Sequence, residues 1–294
     1  HGTCRRQRQM CIRDSLPHVK YTSSRILEGG VSSEVFLIVT ESNKGKEKIV
    51  LRTEGGPPAE NSIKTEYLLL EKLHQTKVPC AKPIHLDHSK EILDKDFMLM
   101  TYLEGTIEIP KIKNFGFLNK MVEILKNIHN VNTKILPTLP CRFDPTYDLF
   151  EFLPNARINK ELKAILKGYD TSYSGKPVLL HGDFWPGNIL WTKDEISGVL
   201  DWEYAAIGDP VSDLAVASLE LKYDYGKRGV DRFLDLYSKN FSIDQSRLSL
   251  WLIYVSASTL FFIDEWNLEK ARKNLMKREA MLTIEEEIKF LSSQ

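Results

Sequence analysis

Residues 179–191, Leu179-Leu180-His181-Gly182-Asp183-Phe184-Trp185-Pro186-Gly187-Asn188-Ile189-Leu190-Trp191, carry the densest chemical pattern in the chain. A carboxylate, Asp183, and an amide, Asn188, stand at the two ends of a tight loop that contains Gly and Pro. The apolar runs on either side have the length and turn boundaries of buried strands. A second run, Ser197-Gly198-Val199-Leu200-Asp201-Trp202-Glu203, ends its strand on another carboxylate. Asp183, Asn188 and Asp201 are oxygen donors suited to a hard cation such as Mg2+, which takes one or two carboxylates together with substrate phosphates.

His181, Asp183 and Asn188 keep the spacing of the protein-kinase catalytic loop, where the Asp accepts a hydroxyl proton and the Asn five places on binds Mg2+. Gly182 stands where that loop usually has Arg. The spellings HGDFWPGNIL (181–190) and VLDWEYAAIGDPVSDLA (199–215) resemble the aminoglycoside phosphotransferase/choline kinase superfamily of small-molecule kinases. The resemblance runs from about Leu16 to the last helices and is closest to bacterial phosphotransferase family proteins. It implies an α+β, protein-kinase-like two-lobe fold. The N-lobe (16–104) would be a small antiparallel sheet with one helix, and the larger C-lobe (105–294) mostly helical. It also implies ATP and Mg2+ as cofactors, with Asp183 as the base and Asn188 and Asp201 as metal ligands. The γ-phosphoryl group would pass to a hydroxyl of a small molecule.

Forty basic and forty acidic residues cancel, so no overall field favours nucleic acid or a membrane surface. No apolar stretch approaches the roughly 20 residues that span a bilayer. Cys4, Cys11, Cys80 and Cys141 lack zinc or disulfide spacing and suit a reducing cytoplasm. No obligate protein partner is evident. Residues 1–15 show no periodicity and no apolar signal core, and are expected to be a disordered or foreign leader.

Within the N-lobe, Glu28-Gly29-Gly30-Val31-Ser32-Ser33 separates two strand patterns. Alone such a hairpin is usually only a turn. Its place in the family pattern implies a phosphate-covering loop, with Ser32, Ser33 and Val35 beside the nucleotide. Lys48-Ile49-Val50-Leu51-Arg52 alternates faces, Lys48, Val50 and Arg52 on one and Ile49 and Leu51 on the other. By resemblance Val50 lies against adenine and Arg52 takes the place of the kinase strand Lys, gripping two phosphate oxygens in a fork. Lys48 is its rival but sits nearer the turn. Residues 60–75 have helical spacing, and Glu66 on that helix is the candidate partner for Arg52; a solvated helix acid is the plainer alternative. Thr101, Tyr102 and Leu103 resemble the interlobe hinge whose backbone binds the adenine edge, although relatives often carry Glu at the position of Thr101.

The remaining candidates read mainly as structure. His129 ends an apolar helical stripe and is expected to pack rather than react. Asp209 suits a helix cap and Asp213 an anchor for the catalytic loop. Trp251, Tyr254, Phe261, Phe262 and Trp266, beside Asp264 and Glu265, would form a cage for an amine acceptor unless they serve the core. Two other functions stay open. One is a non-catalytic nucleotide-binding protein on the same fold. The other is a metal-dependent phosphohydrolase, which calls for a His cluster not found near these motifs.

Overall fold

A computed structural model of the chain describes residues 4–27, 33–43, 45–56, 60–109, 115–146, 148–167 and 171–294. In chain order the elements begin with α1 (Arg5–Ser15), β1 (Lys20–Ile26), β2 (Val35–Ser42), β3 (Gly45–Thr53), α2 (Ile63–Leu73), β4 (Pro83–Asp87) and β5 (Phe97–Thr101). Next come α3 (Phe117–His129), β6 (Cys141–Arg142), α4 (Leu149–Phe152), α5 (Ala156–Ile165), β7 (Val178–Leu180), β8 (Ile189–Thr192), β9 (Glu195–Val199) and β10 (Ala206–Gly208). Three long helices follow, α6 (Val211–Ser238), α7 (Gln245–Phe262) and α8 (Lys270–Leu291).

The chain divides into two units. One comprises His1–Glu108, Lys134–Pro140 and Ile189–Ala205, and the other Ile109–Thr133, Cys141–Asn188 and Ala206–Gln294. Residues 189–205 therefore group with the N-terminal strands, whereas the sequence reading assigns all of 105–294 to the second lobe. The reason is local bonding. Thr106 and Trp191 exchange backbone hydrogen bonds, and Ser197 Oγ and Thr192 Oγ1 both donate to the Glu104 carbonyl. Gly105 makes this approach possible. Its φ is +147°, and a Cβ there would lie 2.9 Å from the Trp191 carbonyl oxygen.

The first unit is built on an antiparallel sheet of order β1-β2-β3-β5-β4. Phe36 and Ile38 on β2, Ile49 and Leu51 on β3, and Phe97 and Leu99 on β5 share one buried cluster. Cys11 and Ile12 of α1 are fully buried in that same cluster. Residues 5–15 are thus an ordered helix and not a disordered leader. Their anchorage is a consecutive apolar pair, aided by the Arg8 guanidinium 4.4 Å over the Phe36 ring, so no periodic stripe announces it. On α2, Ser62 accepts the Thr65 N–H as N-cap. Helical spacing then places Glu66 on the buried face with Ile63, Leu70 and Leu73.

The second unit is mostly helical around a small sheet of order β6-β10-β7. Leu118, Met121, Leu125 and Ile128 give α3 a fully buried stripe. Leu250, Ile253 and Ala257 of α7 pack with Ile284 and Ile288 of α8, Leu149 of α4, and Ile158 and Leu162 of α5. Gly226 breaks α6 at φ 61° and ψ −169°. Asp209 is the buried joint of this unit. Its Oδ2 accepts from Arg247 Nε at 2.6 Å and Trp251 Nε1 at 2.9 Å, and its Oδ1 takes the Val211 N–H at the start of α6. Among the described residues no helix is long and apolar enough to cross a membrane, and Cys4, Cys11, Cys80 and Cys141 are unpaired thiols.

Candidate active site

In the first unit, the candidate side chains gather around Arg52, which sits near the end of β3 opposite Val35 of β2. Its Nη1 donates to Glu66 Oε1 at 2.5 Å, and its Nη2 to Glu203 Oε2 at 2.6 Å and Asp201 Oδ1 at 3.2 Å. Its Nε donates to Ser33 Oγ at 3.1 Å. Four hydrogen bonds thus leave the guanidinium one of its five N–H groups, too few for the expected two-oxygen fork on phosphate. Burial would lower the guanidinium, but Glu66, Asp201 and Glu203 outweigh it and raise it above its ordinary value. For Glu66, burial dominates and pushes the carboxyl up to about 7, with Arg52 opposing and Asp201 and Glu203 reinforcing. Three acids surround one base, so the cluster carries acidic charge in excess, as a cation-binding site requires.

Asp201 itself holds φ at 62°, a left-handed backbone that non-glycine residues adopt at a cost of order 1–3 kcal/mol and that concentrates at functional sites. Glu203 has no assigned role in the sequence reading. Its place in the turn just after the left-handed Asp201 backbone carries no local mark of the pairing. Asn61 fixes this segment by donating to the carbonyls of Glu203 at 3.1 Å and Ala205 at 2.8 Å. Ser32 lies outside the described residues.

Val50 is buried on β3, paired with Met100. At the expected hinge, the Thr101 N–H donates to Lys82 O at 2.9 Å and the Tyr102 N–H to Lys48 O at 3.4 Å. Thr101 Oγ1 accepts from the Lys82 N–H, so this side chain closes a second bond to the strand edge. Leu103 lies over Gly198, where a Cβ would come within 2.5 Å of its Cδ1. Lys48 is exposed and paired with Glu104 at 2.7 Å, apart from the Arg52 cluster.

The second unit holds the catalytic-loop candidates. Asn188 Nδ2 donates to Asp183 Oδ2 at 2.8 Å and to the Asp183 carbonyl at 2.9 Å. Trp185 Nε1 reaches the same carboxylate oxygen at 3.3 Å, its ring lying over Gly187, where a Cβ would overlap it. Asp183 and Asn188 therefore meet. Because the amide nitrogen of Asn188 is used, its oxygen is the end left to face a cation. Asp213, fully buried on α6, clamps the loop by accepting the N–H groups of His181 at 2.9 Å and Gly182 at 2.8 Å. Gly182 has φ 83°, which explains Gly where protein kinases carry Arg. Burial opposes ionisation of Asp213, yet its bond to His129 and the neighbouring imidazole and amide groups hold it below its ordinary value.

Glu220 on α6 is a further acid, one that no motif marks in the sequence. Burial raises it to about 8, with the charge of Asp183 adding to the effect and Arg272 opposing it. Three of the residues considered for an acceptor cage have partners within the protein. Trp251 is buried and bonded to Asp209, Tyr254 packs with Phe152, and Asp264 pairs with Lys277 at 2.7 Å. Among the described residues no group of three or more His, Cys, Asp or Glu has metal-holding geometry.

Sheet, helices and anchored loop together make this an α+β, protein-kinase-like fold, and solved structures share it. A putative aminoglycoside phosphotransferase from Ralstonia eutropha aligns over 98% of both chains with a TM-score of 0.66 and 16% identity. A thermostable aminoglycoside phosphotransferase mutant in ternary complex with ADP and hygromycin B aligns over 94% of this chain and 97% of its own, with a TM-score of 0.65 and 12% identity. In sequence, residues 23–251 match the model of the family described as "Phosphotransferase enzyme family", and the chain belongs to that family. Acyl-CoA dehydrogenase family member 11 of Gallus gallus is 24% identical over 219 residues, which are 67% of this chain and 28% of that protein. The chain thus spans little more than a quarter of that curated relative.

Proposed function

We propose that this phosphotransferase is an ATP- and Mg2+-dependent kinase that transfers the γ-phosphoryl group to a hydroxyl of a small molecule. The observation that carries the reading is the Asp183 carboxylate, oriented by Asn188 and Trp185 on a loop pinned by Asp213. Asp183 orients the acceptor hydroxyl and takes its proton, with its rotamer set before substrate arrives. The amide oxygen of Asn188 and the carboxylate of Asp201 would hold Mg2+, which supplies neutralisation of phosphate charge. These hard oxygen donors and the acidic excess around Arg52 fit such an ion. In this reading Ser32 and Ser33 would bind the phosphates, Val35 would sit beside the nucleotide, Val50 would meet the adenine ring, and Thr101, Tyr102 and Leu103 would serve the adenine edge. Arg52, held by Glu66, restrains the nucleotide through its one uncommitted N–H. Positioning and charge neutralisation then account for most of the rate, because the phosphoryl transition state is loose.

Asp201→Ala is expected to weaken Mg2+-dependent ATP binding by at least roughly 10–100-fold, the cost of losing even an outer partner of a metal ligand. Titration calorimetry with and without Mg2+ measures it, and unchanged Mg2+-dependent affinity would remove Asp201 from the metal. One observation favours a second reading, a nucleotide-binding protein without turnover: the commitment of Arg52 to three carboxylates. ADP formation stimulated by an acceptor separates the two, since a binding protein gives none. The acceptor panel should span amino alcohols, aminoglycosides, other hydroxylated metabolites and hydroxyacyl-CoA esters. The last are prompted by the acyl-CoA dehydrogenase name of the curated relative. Four unpaired thiols agree with a reducing compartment such as the cytoplasm.

A further inference from the structure

The loop anchor Asp213 is itself held by a buried relay that no part of the mechanism above uses. His129, at the end of α3, places Nε2 3.1 Å from Asp213 Oδ2, and its Nδ1 lies 2.7 Å from the Tyr237 hydroxyl. All three side chains are at least 96% buried. Tyr237 belongs to the last turns of α6, beyond the Gly226 break, and stacks on Phe241 with ring centroids 5.1 Å apart. The same stretch is fastened to α3 a second time, by Lys126 Nζ donating to the Leu236 carbonyl at 3.3 Å.

We propose that Tyr237 is a positioning residue for the catalytic loop, acting by fixing the tautomer of His129 that binds Asp213. The chemistry is directional. Asp213 already accepts the His181 and Gly182 amides, so it is an acceptor and His129 must present Nε2–H to it. In a neutral imidazole the other nitrogen is then a bare acceptor, and the Tyr237 hydroxyl donates to it. Burial, with Asp213 nearby, pushes the Tyr237 phenol above its ordinary value, which keeps it a hydroxyl. Without that donor, the Nδ1–H tautomer competes and turns a bare nitrogen toward a carboxylate. Asp213 then loses a donor, and the two loop amides lose a fixed acceptor.

The role in catalysis rests on the proposed kinase reading, but the test also reads the relay directly. In the parent protein, nitrogen NMR is expected to show His129 protonated on Nε2 and bare on Nδ1. Tyr237→Phe, which keeps the ring and its stacking, is expected to speed amide exchange at His181 and Gly182 about fivefold, as loss of a net bond worth about 1 kcal/mol implies. It should also lower kcat about tenfold with KM for ATP unchanged, since misplaced catalytic groups cost turnover. An Nδ1–H tautomer or an imidazolium in the parent overturns the proposal. So does unchanged exchange at the two amides, or an equal rise across all core amides, which marks general loosening. If no acceptor supports turnover, the kinase reading fails, while tautomer and exchange still decide the relay.

Discussion

Asp183→Asn is expected to lower acceptor turnover by about 10²–10⁴-fold, the usual worth of a positioned general base, while ATP and Mg2+ still bind. The substitution is nearly isosteric. Its amide oxygen can accept the same hydrogens from Asn188 Nδ2 and Trp185 Nε1 that Asp183 Oδ2 accepts now, so the loop keeps its shape. What disappears is an oxygen able to take a proton from the acceptor hydroxyl. The expected signature is therefore a fall in kcat with little change in KM for ATP. Steady-state ADP formation with the best acceptor of the panel measures it. Turnover equal to that of the parent would show that another group, or none, receives the proton.

Arg52→Ala should produce a large loss of stability in the first unit. It strips the counter-charge from Glu66 and Glu203, both buried, and removing one partner of a buried ion pair costs about 3–5 kcal/mol. ATP binding should fall with it, because Asp201 and Ser33 lose a shared partner. Arg52→Lys is expected to recover only part of the loss, since a single ammonium cannot serve Ser33, Glu66, Asp201 and Glu203 in the planar fork now seen. Urea unfolding followed by circular dichroism gives the number. A change within about 0.5 kcal/mol, the range of ordinary surface substitutions, would show that the cluster is not a buried charge network.

How much of the chain is legible before folding depends on where each signal lies. The catalytic loop is legible because its chemistry is consecutive: His181, Asp183 and Asn188 lie close together in sequence and meet as their spacing suggests. Glu66 is visible as a candidate because it lies on the buried face of a periodic helix. Glu203 is not, because its partner Arg52 is 151 residues away and nothing local marks the pairing. Tyr237 escapes for the same reason, 108 residues from His129. The helix α1 goes unseen because two buried residues suffice to seat it. The fork expected of Arg52 fails on a count of hydrogens: residue type gives the number of donors, but only the folded chain shows how many are already spent. Trp251 drops out of the cage similarly, since a Trp in sequence does not declare that its indole N–H is spent on a buried Asp.

The central claim is that phosphate moves from ATP to an acceptor hydroxyl under the control of the loop. Incubating the parent chain with Mg2+, γ-labelled ATP and each acceptor in turn, then quantifying ADP, labelled acceptor and free phosphate together, reads this in one assay. The expected result is ADP and labelled acceptor in equal amounts for at least one hydroxylated compound, abolished by withholding Mg2+. Free phosphate released at the same rate with or without acceptor, and no labelled acceptor at all, would contradict it.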